Sequence, residues 1–237
     1  MLEILYQDQY LVAINKPHGL LVHRSPIAKD ATEFALQTLR DQLNRQVYPV
    51  HRLDRKTSGV LLFALSPEIL KTLSQKFEAG EIQKTYLSIL RGYTEDSGTI
   101  DYPLTNDAGK VQEAITNYRT LDKSEIDFPF GKHETSRYSL VEAKPETGRY
   151  HQLRKHFAHV LHPIIADRAH GCNKQNRFFK STWEMTTMLL HAQKLTFQHP
   201  VDDRTISIEA SVSDEFLRMA ELMNFDQSTF SISTLPS

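Results

Sequence analysis

Six consecutive apolar residues, Val60 to Leu65, follow directly on a turn dense in charge, and no other stretch constrains the fold as strongly. The run has the length and composition of a buried strand. The turn ahead of it, HRLDRKTSG, sets one acid among bases, with Asp54 flanked by His51, Arg52, Arg55 and Lys56. Positive neighbours within a few ångströms lower a carboxylate pKa by roughly 1 to 3 units, so Asp54 is expected to be ionised at neutral pH. Thr57, Ser58 and Gly59 supply the tight turn into the strand. A reactive loop mounted on a rigid strand is a common catalytic arrangement, and the same letters also fit a solvated surface turn.

A chain of 237 residues can bury a substantial core as one large domain or two small ones. The expectation is one domain over 1–225 and a polar, frayed tail over 226–237. Charge is balanced overall, 28 basic against 29 acidic residues, but unevenly distributed. From Lys144 to Lys180 there are eight Lys or Arg against two acids, a net +6, with five histidines; from Val201 to Asp226 the net is −5. That asymmetry predicts one face for a polyanion. The single cysteine, Cys172, rules out an intramolecular disulfide framework and fits a reducing compartment. The N-terminus MLEILYQDQY does not read as a signal peptide, and no apolar run approaches a membrane span. A soluble, cytoplasmic protein is expected.

Leu2 to Tyr6 and Tyr10 to Ile14 read as short strands with Asp8 at the turn, followed by a loop, NKPHG, that Pro17 and Gly19 keep irregular. Helical spacing predicts an amphipathic helix within Asp30 to Leu43, and Ser66 with Pro67 starts another that Gly80 stops. Ile82 to Tyr93 alternates as a strand on which Lys84 and Tyr86 point the same way. Residues 94 to 135 carry little signal beyond a strand near Ala114 to Leu121. Arg137 to Ala143 is another strand. In RYHQLRKHFAHVLHP, residues Tyr150, Leu153 and Phe157 keep an apolar helical stripe while His151, Arg154 and Lys155 lie off it, with Thr147 as the cap. The helix start and its N–H groups beside Arg149 suit a phosphate. Met188 to Phe197 and Thr205 to Ala210 read as a hairpin, and Ser213 caps a last helix to about Met223. Few regular crossover helices join the strands, which argues for an α+β fold with a largely antiparallel sheet.

The histidines at 151, 156, 159 and 162 have poor spacing for a metal and no acid among them, and no HExxH, G-x-S-x-G, P-loop or GxGxxG occurs. What remains is an acid ringed by bases, a strand tyrosine and a basic helix start.

These residues carry a resemblance. HRLDRKTSGVLLFALS, the K-x-Y of Lys84 to Tyr86, and ETGRYHQLRKH followed by HPIIAD look like the three signature regions of the RluA-type pseudouridine synthases, in order. The opening DQYLVAINKPHGLLVH is similar to the start of that catalytic domain, and the likeness runs from about Leu2 to Ala210. SRYSLVEAKPETGRYHQLRKH and NKQNRFF resemble the subgroup that acts on tRNA and lacks an S4-like domain, although Lys56 stands where that subgroup usually has proline. The resemblance implies a mixed, mostly antiparallel central sheet flanked by helices and loops, with a central RNA-binding cleft. It implies isomerisation of uridine to pseudouridine, uridine 65 of the tRNA T stem as the target, and no metal, nucleotide or redox cofactor. It makes Asp54 the nucleophile, Tyr86 the support beneath the base, and Arg154 the partner of the acid, with Arg149 the second choice. His51, Arg52, Arg55, Thr57, Lys84, His151 and Lys155 are then expected on the RNA, and the protein is expected to act as a monomer. A ribosomal RNA target, or a catalytically silent RNA-binding or chaperone protein on the same scaffold, are the alternatives.

Overall fold

The computed structural model describes residues 1–23, 32–185 and 187–230. In chain order its elements are β1 (Glu3–Gln7), β2 (Leu11–Lys16), α1 (Ala35–Leu43), β3 (Tyr48–Pro49), β4 (Ser58–Ala64), α2 (Pro67–Glu78), β5 (Gln83–Arg91) and β6 (Ser97–Asp101). They continue with β7 (Leu104–Thr105), β8 (Val111–Gln112), β9 (Ile115–Ile126), β10 (Ser136–Pro145), α3 (Gln152–His159) and α4 (Asn173–Trp183). Then follow β11 (Leu190–Gln198), β12 (Thr205–Glu209), α5 (Asp214–Leu222) and a closing 3-10 turn, Gln227–Phe230. The chain forms two compact units, Met1–Lys84 with Ala192–Ser211, and Thr85–His191 with the chain from Val212 onward.

In the first unit β4 is buried at all seven positions, which is why its sequence from Val60 on is continuously apolar rather than alternating. It pairs antiparallel with β2, Leu11 opposite Ala64 and Lys16 opposite Gly59, while β1 continues the sheet beyond β2. Val60 and Leu62 share one core with Leu11, Ala13, Leu195, Phe197 and Ile208, and α2 closes it with Leu73. Helix α2 begins as its letters predict, with the Ser66 hydroxyl accepting the Ile69 N–H at 3.3 Å and Pro67 in the first turn. At the β1–β2 turn the Asp8 carboxylate accepts the Tyr6 hydroxyl at 2.6 Å and the N–H groups of Tyr10 and Leu11 at 2.7 and 2.8 Å. Burial and that acid push the Tyr6 hydroxyl up to about 12.

In the second unit β5, β10, β9 and β6 form an antiparallel sheet, Tyr86 opposite Ala143 and Ile89 opposite Leu140. Strand alternation divides its core in two. Leu87, Ile89, Tyr138 and Leu140 face Phe179 of α4 and Phe216, Met219 and Ala220 of α5. Leu90, Val141 and Ala143 face Leu153 and Phe157 of α3, with Tyr86 at the margin of that cluster.

The architecture is α+β with a mostly antiparallel sheet, as expected. Some details differ from the sequence reading. Helix α4, NKQNRFFKSTW, is not foreseen there. Strand β9 runs twelve residues through a mostly polar stretch. The stretch expected to fray from 226 includes the 3-10 turn, whose Phe230 packs into the core 5.9 Å from Phe216. The expected helix start at Asp30 and the end of the chain, 231–237, lie outside the described residues.

Candidate active site

Asp54 sits half-buried in the turn that enters β4, and that turn is clasped by the NKPHG loop of the same unit. The Thr57 N–H closes the turn on the Asp54 carbonyl at 3.0 Å. Arg55 and Gly19 bond reciprocally: the Gly19 N–H donates to the Arg55 carbonyl at 2.8 Å, and Arg55 Nε donates to the Gly19 carbonyl at 3.1 Å. Lys16, entirely buried at the end of β2, completes the clasp. Its Nζ donates to the carbonyls of Pro17 at 2.9 Å, Leu20 at 2.8 Å and Arg55 at 3.4 Å. Burial pulls the Lys16 ammonium down to about 7, against the opposing pull of the Asp54 charge. Lys16 is legible in the sequence only as one base in a loop, because nothing in the letters marks a lysine as buried.

Lys16 yields a pH prediction. Its folded pKa lies below the ordinary lysine value near 10.4, so between about 7 and 10.4 the unfolded chain binds more protons and stability rises with pH. Lys16→Met removes that slope. In urea titrations at pH 7 and 10 the wild type should gain up to roughly 4 kcal/mol relative to the variant across that window. A constant difference between the two proteins would contradict the burial argument.

The other expected residues of this unit take several positions. His51 accepts the Leu62 N–H on Nε2 at 3.1 Å and stacks on Phe77 with ring centroids 4.9 Å apart. Burial, and then the charge of Lys84, push it down to about 4, so it is a neutral ring bonded to β4. Thr57 is buried, Lys84 half-buried, and Arg52 and Arg55 are exposed.

Tyr86, Arg149, His151, Arg154 and Lys155 belong to the second unit. Tyr86 is half-buried near the start of β5. Arg154, 8% exposed, donates from Nε and Nη2 to the two oxygens of Asp167, both at 2.7 Å. This fork fixes the plane of the guanidinium. Burial alone would raise the Asp167 carboxyl, but Arg154 and the N–H groups of Ala169 and His170 hold it below the usual carboxylate range. Asp167 appears in the sequence only as the last letter of HPIIAD, and its part in gripping Arg154 is visible only in the fold.

Helix α3 is shorter than its letters suggest, Gln152–His159, and Thr147 is not its cap. The residue before the helix is His151, in a left-handed conformation at φ 56° and with no side-chain cap bond. The turn is held instead by Gln152, whose Oε1 accepts the Thr147 hydroxyl at 2.7 Å and the Arg149 N–H at 2.9 Å. Its Nε2 donates to the Ile115 carbonyl at 2.9 Å. That Arg149 N–H is therefore occupied by Gln152, and Arg149 Nε by the Glu113 carbonyl at 2.9 Å. Tyr150, expected on the buried stripe, is 47% exposed, stacked on His151 at 3.8 Å with Lys155 Nζ 5.6 Å from its ring centre. His151 Nδ1 lies 2.9 Å from His170 Nε2. An exposed aromatic beside a cation is the chemistry on which nucleic-acid bases stack.

Among the described residues no group of three or more His, Cys, Asp or Glu side chains could hold a metal ion. The neighbouring histidines have other partners: His156 lies 3.0 Å from both the Thr116 hydroxyl and the Tyr102 carbonyl, His159 stacks on Tyr102, and His162 lies 2.9 Å from the Arg91 carbonyl.

Comparison with known proteins adds to this geometry. The family model described as RNA pseudouridylate synthase matches residues 10–159. A tRNA pseudouridine synthase C from Vibrio parahaemolyticus serotype O3:K6 (strain RIMD 2210633) is 44% identical over 237 residues, covering 95% of this chain and 96% of the relative. Another so named, from Pasteurella multocida (strain Pm70), is 47% identical and covers 95% of this chain and 97% of its own. Among solved structures, Human RNA Pseudouridylate Synthase Domain Containing 4 is similar with a TM-score of 0.73 at 23% identity, covering 95% of this chain and 94% of that one, a likeness of fold.

Proposed function

Because the chain belongs to the RNA pseudouridylate synthase family, and is an isomerase that turns uridine in RNA into pseudouridine, we propose that its substrate is tRNA, at uridine 65 at the end of the T stem, with Asp54 as the nucleophile. The tRNA reading is supported by relatives 44% and 47% identical over nearly their whole length, whose names carry that substrate. The observation that carries the chemistry is the clasp of Lys16, Gly19 and Arg55, which fixes the turn bearing the Asp54 carboxylate. A preorganised nucleophile loses little freedom on the way to the transition state.

The isomerisation breaks the bond from uracil N1 to the sugar C1′, turns the base while it is held, and joins C5 to C1′. C5 loses a proton and N1 gains one, so no electron pair or group is consumed. Asp54 attacks either C1′, displacing N1 and being displaced in turn by C5, or the uracil ring, from which it is eliminated once C5 has joined C1′. Tyr86 supports the base, and Arg154, held flat by Asp167, supplies positive charge to the reacting centre. A stacked uridine must leave its helix to react, and Arg52 fills the vacated space. Arg55, Thr57, Lys84, Arg149, His151 and Lys155 serve RNA binding in this proposal, with His51 supporting the turn from behind. The enzyme acts in the cytoplasm as a monomer; among the described residues no helix is long and apolar enough to cross a membrane.

The test is pseudouridine mapping of total RNA from cells with and without the protein, complemented by wild type or Asp54→Ala. Loss at one tRNA uridine, restored by wild type alone, is the expected result. Loss at a ribosomal RNA position would overturn the substrate, and no lost site would favour a silent RNA-binding protein.

A further inference from the structure

Between β9 and β10 the chain turns back tightly: the Phe130 N–H donates to the His133 carbonyl at 3.0 Å and the His133 N–H returns to the Phe130 carbonyl at 3.3 Å. The Ser136 hydroxyl on the Phe128 carbonyl at 2.8 Å ties the base of this hairpin. It forms one wall of an open hollow of about 420 Å³, also lined by Arg91, Lys132 and Arg137, where Glu134 is the one acid among the described lining residues. Two cations are held against the Phe130 ring, Arg91 at 5.9 Å and Lys174 at 5.7 Å from its centre. Arg137 is engaged by Glu125 at 3.1 Å. The Phe130 ring holds Arg91 in the lining and Lys174 beside it, and Lys132 adds a third cation on the hairpin tip, so the site is positive and partly ordered before anything binds.

We propose that this hollow is a second RNA contact, taking backbone phosphates of the substrate away from the nucleotide that reacts. The proposal rests on the RNA-modifying reading of the protein. Arg91 ends the strand on which Tyr86 lies five residues earlier, a separation of roughly 17 Å at about 3.3 Å per residue. The hollow therefore cannot serve the same nucleotide as Tyr86, and it has the charge for phosphates farther along the same RNA. Cations that neutralise phosphates give binding that weakens with salt, each contact adding somewhat less than one to the slope of log affinity against log salt.

The experiment uses the full chain with two RNAs, a transcribed whole tRNA and a short hairpin of its T arm. Binding is followed across a salt series and pseudouridine formation under steady-state conditions. Lys132→Ala combined with Lys174→Ala should raise KM for the whole tRNA about tenfold, leave kcat within twofold, and lower the salt slope by between about one and two. KM for the T-arm hairpin should not move, and Lys132→Arg with Lys174→Arg should restore the tRNA values. An unchanged KM and slope on tRNA would overturn the proposal, and so would an equal loss on both RNAs or a fall in kcat alone. If the wild type formed no pseudouridine in either RNA, the failure would lie with the substrate reading, and the binding series would still decide whether these lysines contact RNA.

Discussion

Asp54→Asn should lower the rate of pseudouridine formation on the order of 10⁴-fold or more while leaving RNA affinity within a few fold. The substitution keeps the shape of the side chain and removes the nucleophilic oxygen charge, so it acts on the covalent step rather than on binding. A factor of that size corresponds to about 5 kcal/mol of transition-state stabilisation. Release of tritium from uridine labelled at C5 reads the reaction directly, because that position loses its hydrogen when it joins the sugar. Asp54→Ala alongside guards against deamidation of the asparagine back to aspartate. The Asp54 charge also opposes the burial penalty on Lys16, so either variant should push the Lys16 pKa further below about 7. A urea midpoint measured with each variant separates that effect from loss of chemistry. A variant retaining a tenth of the wild-type rate would rule Asp54 out as the nucleophile.

Gly59→Ala should be the most damaging single-methyl change in the chain. Gly59 has φ +108°, and a Cβ built on it would lie 2.1 Å from the Ala192 carbonyl oxygen. That neighbour is backbone, in a strand whose partner β4 is buried along its whole length, so neither side can yield by rotating a side chain. The expected cost exceeds roughly 4 kcal/mol, a large share of the about 5–15 kcal/mol that holds a typical domain folded. Gly19→Ala is the control, with φ +88° and nothing within 4 Å of the added carbon, and should cost only the backbone strain of about 1–2 kcal/mol. Chemical unfolding followed by circular dichroism would compare the two, and equal losses would show that strain rather than the close approach dominates.

The contrast between Gly59 and Lys16 illustrates what the letters of this chain carry. Local signals are legible: Ser66 followed by Pro67 starts α2, Ser213 caps α5 through the Phe216 N–H, and the apolar run of β4 reads as a buried strand. Strand β9 is hard to read because its residues are half-buried, so ITNYRTLDKSEI alternates without a strong apolar face. Helix α4 has only a short stripe, Phe178, Phe179 and Trp183, set among polar residues. At the site, the residues proposed to act on substrate are visible from their motifs. Those that hold them are not, because Lys16, Gln152 and Asp167 take their meaning from burial and from partners such as Leu20, Ile115 and Arg154. Burial cannot be inferred from polar letters alone.

The strand that faces Gly59 comes from the far end of the first unit's sequence, with about 130 residues between Gly59 and Ala192. A ribosome adding about 5–20 residues per second makes that interval on the order of ten seconds. Throughout it the nascent β4 has β2 on one side, while on the other β3 and Val50 cover only the Leu62 to Ala64 end and leave the Ser58 to Leu61 end as an open edge. Such an edge invites pairing with other chains, so the newborn protein should depend on chaperones or low temperature for its yield more than its modest size suggests. The turn bearing Asp54 thus acquires its mature setting only after four-fifths of the polypeptide has been synthesised.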